Sequence, residues 1–277
     1  MVKCFVELLR PINGIMAAIA VFIGALIAGG TFVAYMTEVH IAIIATFFIT
    51  GAGMTINDFC DREIDFVNKR NRPIPSGRVR PKGALMISMT LFAIGIYISY
   101  YINVYCLVIA LISSAFLVIY SYRLKKMLVF GHLIISYLVA SSFLFGGLAV
   151  NLGNLVPVAT FSLIAFFANF SREIVKTIED MKGDKMGKVK SLPILFGESR
   201  ARKISSLLTA ITIILAPVPY VLGYMSNTYM YVVSVGLILF LFSIIWNIRN
   251  TPAENVQKLM KVAMTVCLLA FLAGALF

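Results

Sequence analysis

The sequence predicts an all-α polytopic membrane protein, a bundle of nine transmembrane helices with two long cytoplasmic loops, formed as a single domain over 1–277. Three observations predict it. Of the 277 residues, 60% are apolar and 13% charged, against roughly 45–50% and about 25% in soluble domains. The apolar residues are gathered into nine runs of roughly 20, the length that crosses a ~30 Å hydrocarbon core at 1.5 Å per residue. Every Lys and Arg falls before the first run, in alternate gaps or at the run ends that border them.

The runs are 12–32, 39–58, 83–102, 104–121, 131–150, 155–172, 204–223, 229–246 and 258–277. The first reads as a retained helix and not a signal peptide, because it continues from Asn13 to Gly30 and the next run follows within ten residues. Counted from the amino terminus, alternate gaps hold 2, 7, 3, 9 and 3 basic residues, all 24 in the chain, and the intervening gaps hold none. The positive-inside rule then places the amino terminus and the basic gaps in the cytoplasm and the carboxyl terminus outside, in the plasma membrane. The net charge of +12 is thereby read as topology and not as a nucleic-acid footprint. Cys4, Cys60, Cys106 and Cys267 have neither CxxC nor Cys/His spacing and read as reduced core residues.

The two long gaps, about 60–82 and 173–203, hold most of the carboxylates. At 100° per residue, Asn57, Asp58, Asp61 and Asp65 project into one 100° sector if the second helix continues past its apolar run. Like charges stacked at i,i+4 repel, so the cluster needs a cation. Carboxylates and an amide oxygen suit a hard ion completed by substrate phosphates, which describes magnesium. The sixth gap repeats the pattern, with Glu173, Lys176, Asp180 and Asp184 on one face and Glu179 about 100° away. Gly183 can end that helix before Asp184. Two such clusters can hold two divalent ions on a diphosphate.

Basic residues complete the set. After the first cluster, Pro73 and Pro75 set a rigid turn that can aim Arg70 and Arg72 at phosphate oxygens. Arg78, Arg80 and Lys82 mark the membrane interface. In the fourth gap Tyr122 and Lys126 are one helical turn apart, beside Lys125; Tyr120 is five residues before Lys125, so the tyrosine stays open between Tyr120 and Tyr122.

The motifs NDxxDxxxD (Asn57, Asp58, Asp61, Asp65) and DxxxD (Asp180, Asp184), with a Tyr-x-x-x-Lys element between them, resemble the UbiA superfamily of intramembrane prenyltransferases over nearly the whole chain. The resemblance implies that Asp58, Asp61, Asp180, Asp184, Lys126 and Tyr122 are catalytic. It implies metal ligation by Asn57, Asp58, Asp61, Asp65, Asp180 and Asp184, with two Mg2+ ions that Mn2+ can replace. Asn57, Asp65, Arg70, Arg72, Lys125, Lys176, Glu173 and Asn13 are counted as substrate-binding. The runs Asp61 to Asp65, Arg72 to Gly77 and Arg172 to Asp184, followed by Ser191-Leu-Pro193, are most similar to the branch that alkylates geranylgeranylglyceryl phosphate with geranylgeranyl diphosphate. The alternative is an aromatic or tetrapyrrole acceptor. The expected partners are a prenyl diphosphate donor, a phosphorylated lipid acceptor and the bilayer, with no nucleic acid and no obligate protein partner. A transporter would place ionisable groups near the midplane, and the DG-x-x-AR signature of a CDP-alcohol phosphotransferase is absent.

Overall fold

The computed structural model describes residues 2–123, 129–150, 154–181 and 191–276. Among them, nine helices are long and apolar enough to cross a membrane. These are α2 (Pro11–Gly29), α3 (Thr37–Cys60), α5 (Pro81–Tyr100), α6 (Val104–Tyr122), α7 (Phe130–Ala149), α8 (Leu155–Glu179), the span Glu198–Val221, α12 (Asn227–Ile248) and α13 (Ala253–Leu276). The span Glu198–Val221 comprises α10 (Glu198–Leu215) and the short α11 (Val218–Val221), broken by Pro217. Three further helices are not spans: α1 (Val2–Leu9), α4 (Arg62–Asn68) and α9 (Leu192–Phe196). The chain is a multi-pass membrane protein.

The chain clusters into two compact units. The first comprises α1, most of α2, α3 to α6 and the second half of α7. Its centre is α3, whose Ala42, Ala45, Ile49, Ala52 and Ile56 recur at helical spacing and are buried, against α5 and α6. Ser88 of α5 donates to the carbonyl of Ala52 at 2.9 Å, and Gly95 leaves room for Ile49. Helices α2 and α7 approach backbone to backbone at Gly24 and Gly146, where a Cβ would run into the carbonyls of Phe143 and Val21.

The second unit comprises the first half of α7 and α8 to α13. There α8 packs on α10 and α13, and α12 pairs with α13. Phe161, Tyr229 and Phe271 form an aromatic cluster, with the Tyr229 hydroxyl donating to the carbonyl of Ala216 at 2.6 Å. A buried polar knot joins Ser171 of α8 to Ser205 and Thr209 of α10 at 2.7–2.8 Å. Asn247 of α12 donates to Ser205. Helix α8 runs seven residues beyond the apolar run read from the sequence, because Ile174, Val175 and Ile178 continue its buried face between charged neighbours.

Candidate active site

The first acidic motif lies where α3 passes into α4. Asp61 is the junction, at φ −84°, ψ 0°, but the helical phase survives it. The amide of Asp61 donates to Asn57 O at 2.9 Å and that of Asp65 to Asp61 O at 2.8 Å. Asp58, Asp61 and Asp65 consequently stay on the inner side and are buried, at 3%, 9% and 4% exposure. With Asn57 they divide into two pairs. Asn57 donates its amide to Asp61 at 3.2 Å, while Arg72 bridges Asp58, at 3.2 Å, and Asp65.

Arg72 is aimed by the turn that follows. Ser76 N donates to Arg72 O and Gly77 N to Ile74 O, both at 3.0 Å, and Val79 N closes on Pro73 O at 2.9 Å. Gly77 takes φ +74°, open to glycine at no steric cost. Ile74 fastens the turn by packing with Leu8 of α1 and Ala84 of α5. Arg78 ties the same turn to α1 through Glu7 at 2.8 Å, a tertiary role besides the interfacial one expected of it. Glu7 holds that guanidinium above its usual pKa. Arg70 lies over the Phe66 ring and donates to Phe66 O at 3.2 Å.

Arg10 is the residue that sequence reading missed, having been counted only as a topological charge. It donates to Asp58 from the break between α1 and α2, where its own φ is +46°, a conformation uncommon outside glycine and typical of constrained functional positions. Its position directly before Pro11 at the head of a span was the available signal. Arg10 and Asn13 both contact Met54 Sδ, at 3.9 and 3.2 Å, which brings Asn13 to the same group. A cavity of about 550 Å³ opens here, lined by Glu7, Arg10, Asp58, Lys69, Arg70 and Arg72 among others.

Three buried carboxylates spaced over about two helical turns need positive charge, and Arg10 and Arg72 supply it in this arrangement. Among the described residues no three His, Cys, Asp or Glu side chains converge as metal ligands. The donor set of carboxylates and one amide oxygen nonetheless has the chemistry of a magnesium site, with the guanidiniums on the oxygens that such an ion would take.

The second motif is built on the last turns of α8. Glu173 is buried and takes Arg172, with Lys176 Nζ at 3.9 Å. Arg172 also donates to Asn169 at 3.3 Å. Asp180 caps the helix and is exposed, as is Glu179. Asp184, Lys125 and Lys126 lie outside the described residues. Tyr122 ends α6, 57% exposed.

A sequence profile of the UbiA prenyltransferase family matches residues 17–273. The chain belongs to that family. Digeranylgeranylglyceryl phosphate synthase of Methanothrix thermoacetophila is 40% identical over 269 residues, 97% of either chain. The synthase of Methanopyrus kandleri is 38% identical over 275 residues, 99% of this chain and 100% of that one. A solved structure from a study of digeranylgeranylglyceryl phosphate synthase in membranes superimposes with a TM-score of 0.90 at 37% identity, over 99% of this chain and 98% of that one. A UbiA homolog from Archaeoglobus fulgidus bound to DMAPP and Mg2+ shares the fold, with a TM-score of 0.73 at 21% identity over 95% and 98%. As in the UbiA resemblance drawn from the motifs, the likeness runs through both acidic segments.

Proposed function

We propose that this chain, as a single domain, transfers the geranylgeranyl group of geranylgeranyl diphosphate to the free hydroxyl of geranylgeranylglyceryl phosphate, forming the second ether bond of archaeal membrane lipids. The observation that carries the reading is the identity of 38% and 40%, over nearly the full length, to synthases named for this product. In this reading Asn57, Asp58, Asp61 and Asp65 of the first motif and Asp180 and Asp184 of the second hold two magnesium ions, with manganese able to substitute. Magnesium so held supplies the positive charge that lets the diphosphate depart from the allylic carbon.

The chain's own residues do the rest. Arg70, Arg72 and Lys176 neutralise phosphate oxygens, and Arg10, already on Asp58, joins them. Tyr122 and Lys126 position the leaving group, while Lys125 and Lys126 seat the phosphate of the acceptor. Glu173 and Asn13 order the polar end of the substrates. Apolar helix walls exclude water from the allylic cation, so that the lipid hydroxyl captures it. The segregation of all 24 basic residues to alternate gaps supports a plasma-membrane orientation with the amino terminus and both motifs cytoplasmic and the carboxyl terminus outside.

The test is an acceptor panel. Purified protein with labelled geranylgeranyl diphosphate is offered geranylgeranylglyceryl phosphate, its phosphate-free alcohol and an aromatic acceptor. The expected result is one ether product, formed efficiently only with the phosphorylated lipid. Preferential alkylation of the aromatic acceptor would assign the chain to another branch of the family.

A further inference from the structure

One titratable group beside the second motif has no part in the scheme above. His132 lies in the first turn of α7, half-buried, and its Nε2 is 3.4 Å from Thr177 Oγ1 on α8. Thr177 has one hydroxyl proton, directed to the helix carbonyls of Glu173 and Ile174 at 2.9 Å each. Its oxygen thus faces the ring as an acceptor, and Nε2 carries the N–H. In a neutral imidazole that tautomer leaves a lone pair on Nδ1, which takes no hydrogen bond among the described residues. The charged groups that face the ring are Glu173 and Lys176, both of α8. Thr177 is three residues before Asp180, so the ring is fastened to the turn that carries the second motif.

Ether formation must dispose of a proton. The bond from C1 to the diphosphate oxygen breaks with its electron pair leaving on the diphosphate, the glycerol oxygen bonds to C1, and the hydroxyl proton needs an acceptor. Carboxylates held by cations are poor bases. An imidazole of fixed tautomer is suited to the task near neutral pH.

We propose that His132 Nδ1 accepts the proton of the lipid hydroxyl and passes it to water. Thr177 holds the tautomer. The assignment rests on the alkyl-transfer reading of the preceding section.

The experiment compares wild type with His132→Gln, whose amide N–H can still meet Thr177 but which has no basic nitrogen. Single-turnover ether formation is followed from about pH 5 to 8, beside oxygen positional exchange within the donor diphosphate, which reads ionisation alone. The proposal expects wild-type rates to fall on the acid side. It expects the variant to lose about 10²-fold or more in ether formation, to lack the acid limb and to keep normal positional exchange. It is overturned by a variant within threefold of wild type that retains the acid limb, or by exchange falling in step with transfer. A flat wild-type profile overturns it without any variant. Failure of wild type to alkylate geranylgeranylglyceryl phosphate would instead remove the underlying reading.

Discussion

At the scale of single residues, Asp58 is the pivot of the first motif, a buried carboxylate between two guanidiniums from opposite directions in the chain. Asp58→Ala removes a ligand of the proposed magnesium site and leaves Arg10 without its carboxylate, while Arg72 keeps Asp65, and should lower the transfer rate by about 10²-fold or more. Glu179→Ala, at an exposed position off the acidic face, should change the rate little; equal losses in the two variants would remove the distinction. Arg10→Gln deletes one of the two charges on Asp58. The donor KM should rise by about tenfold, the scale of one hydrogen bond to a charged group, and an unchanged KM would confine Arg10 to topology. Arg10 escaped the sequence reading because it meets Asp58 across 48 positions, and no local pattern encodes such a contact. His132 and Thr177, 45 positions apart, escaped for the same reason.

At the scale of elements, the acidic face of α3 and α4 was legible because backbone bonds carry the helical phase through Asp61. The end of α8 was less so. Arg172, Glu173 and Lys176 lower the local hydropathy, yet Ile174, Val175 and Ile178 keep the helix in the core. Hydroxyls were illegible altogether: Ser171, Ser205 and Thr209 read as neutral in a hydropathy scan, but they bind α8 to α10 in the buried interior. Close helix crossing at glycine gives the sharpest structural prediction. In Gly146→Val the new side chain meets the carbonyl of Val21 on α2, and backbone cannot yield as a flexible side chain can. The variant should lose about 1–3 kcal/mol, read as a lowered midpoint of thermal unfolding in detergent. Gly83→Ala, where a Cβ meets nothing within 4 Å, is the control, and equal shifts would contradict the crossing.

At the scale of the whole molecule, nine runs of apolar sequence reappear as nine helices able to span, among the described residues. Hydropathy encodes this level directly, since the bilayer acts on each helix separately. The proposed orientation rests on charge. In a background with the four native cysteines replaced, a cysteine at Ser76 should react with an impermeant thiol reagent only from the cytoplasmic side, and one at Asn227 only from outside. Both positions are exposed, so labelling of both from one side would contradict the odd number of spans.

In the proposed function the chain joins a prenyl donor to a phosphorylated lipid through magnesium held on its acidic motifs. The measurement that tests it most directly follows ether product and released diphosphate together, using purified protein reconstituted in lipid vesicles with geranylgeranyl diphosphate and geranylgeranylglyceryl phosphate. Equimolar ether product and diphosphate are expected with Mg2+, and loss of both when EDTA is added in excess, because the charge that lets the diphosphate depart is then removed. Undiminished product in excess EDTA, or diphosphate release without any ether product, would contradict it.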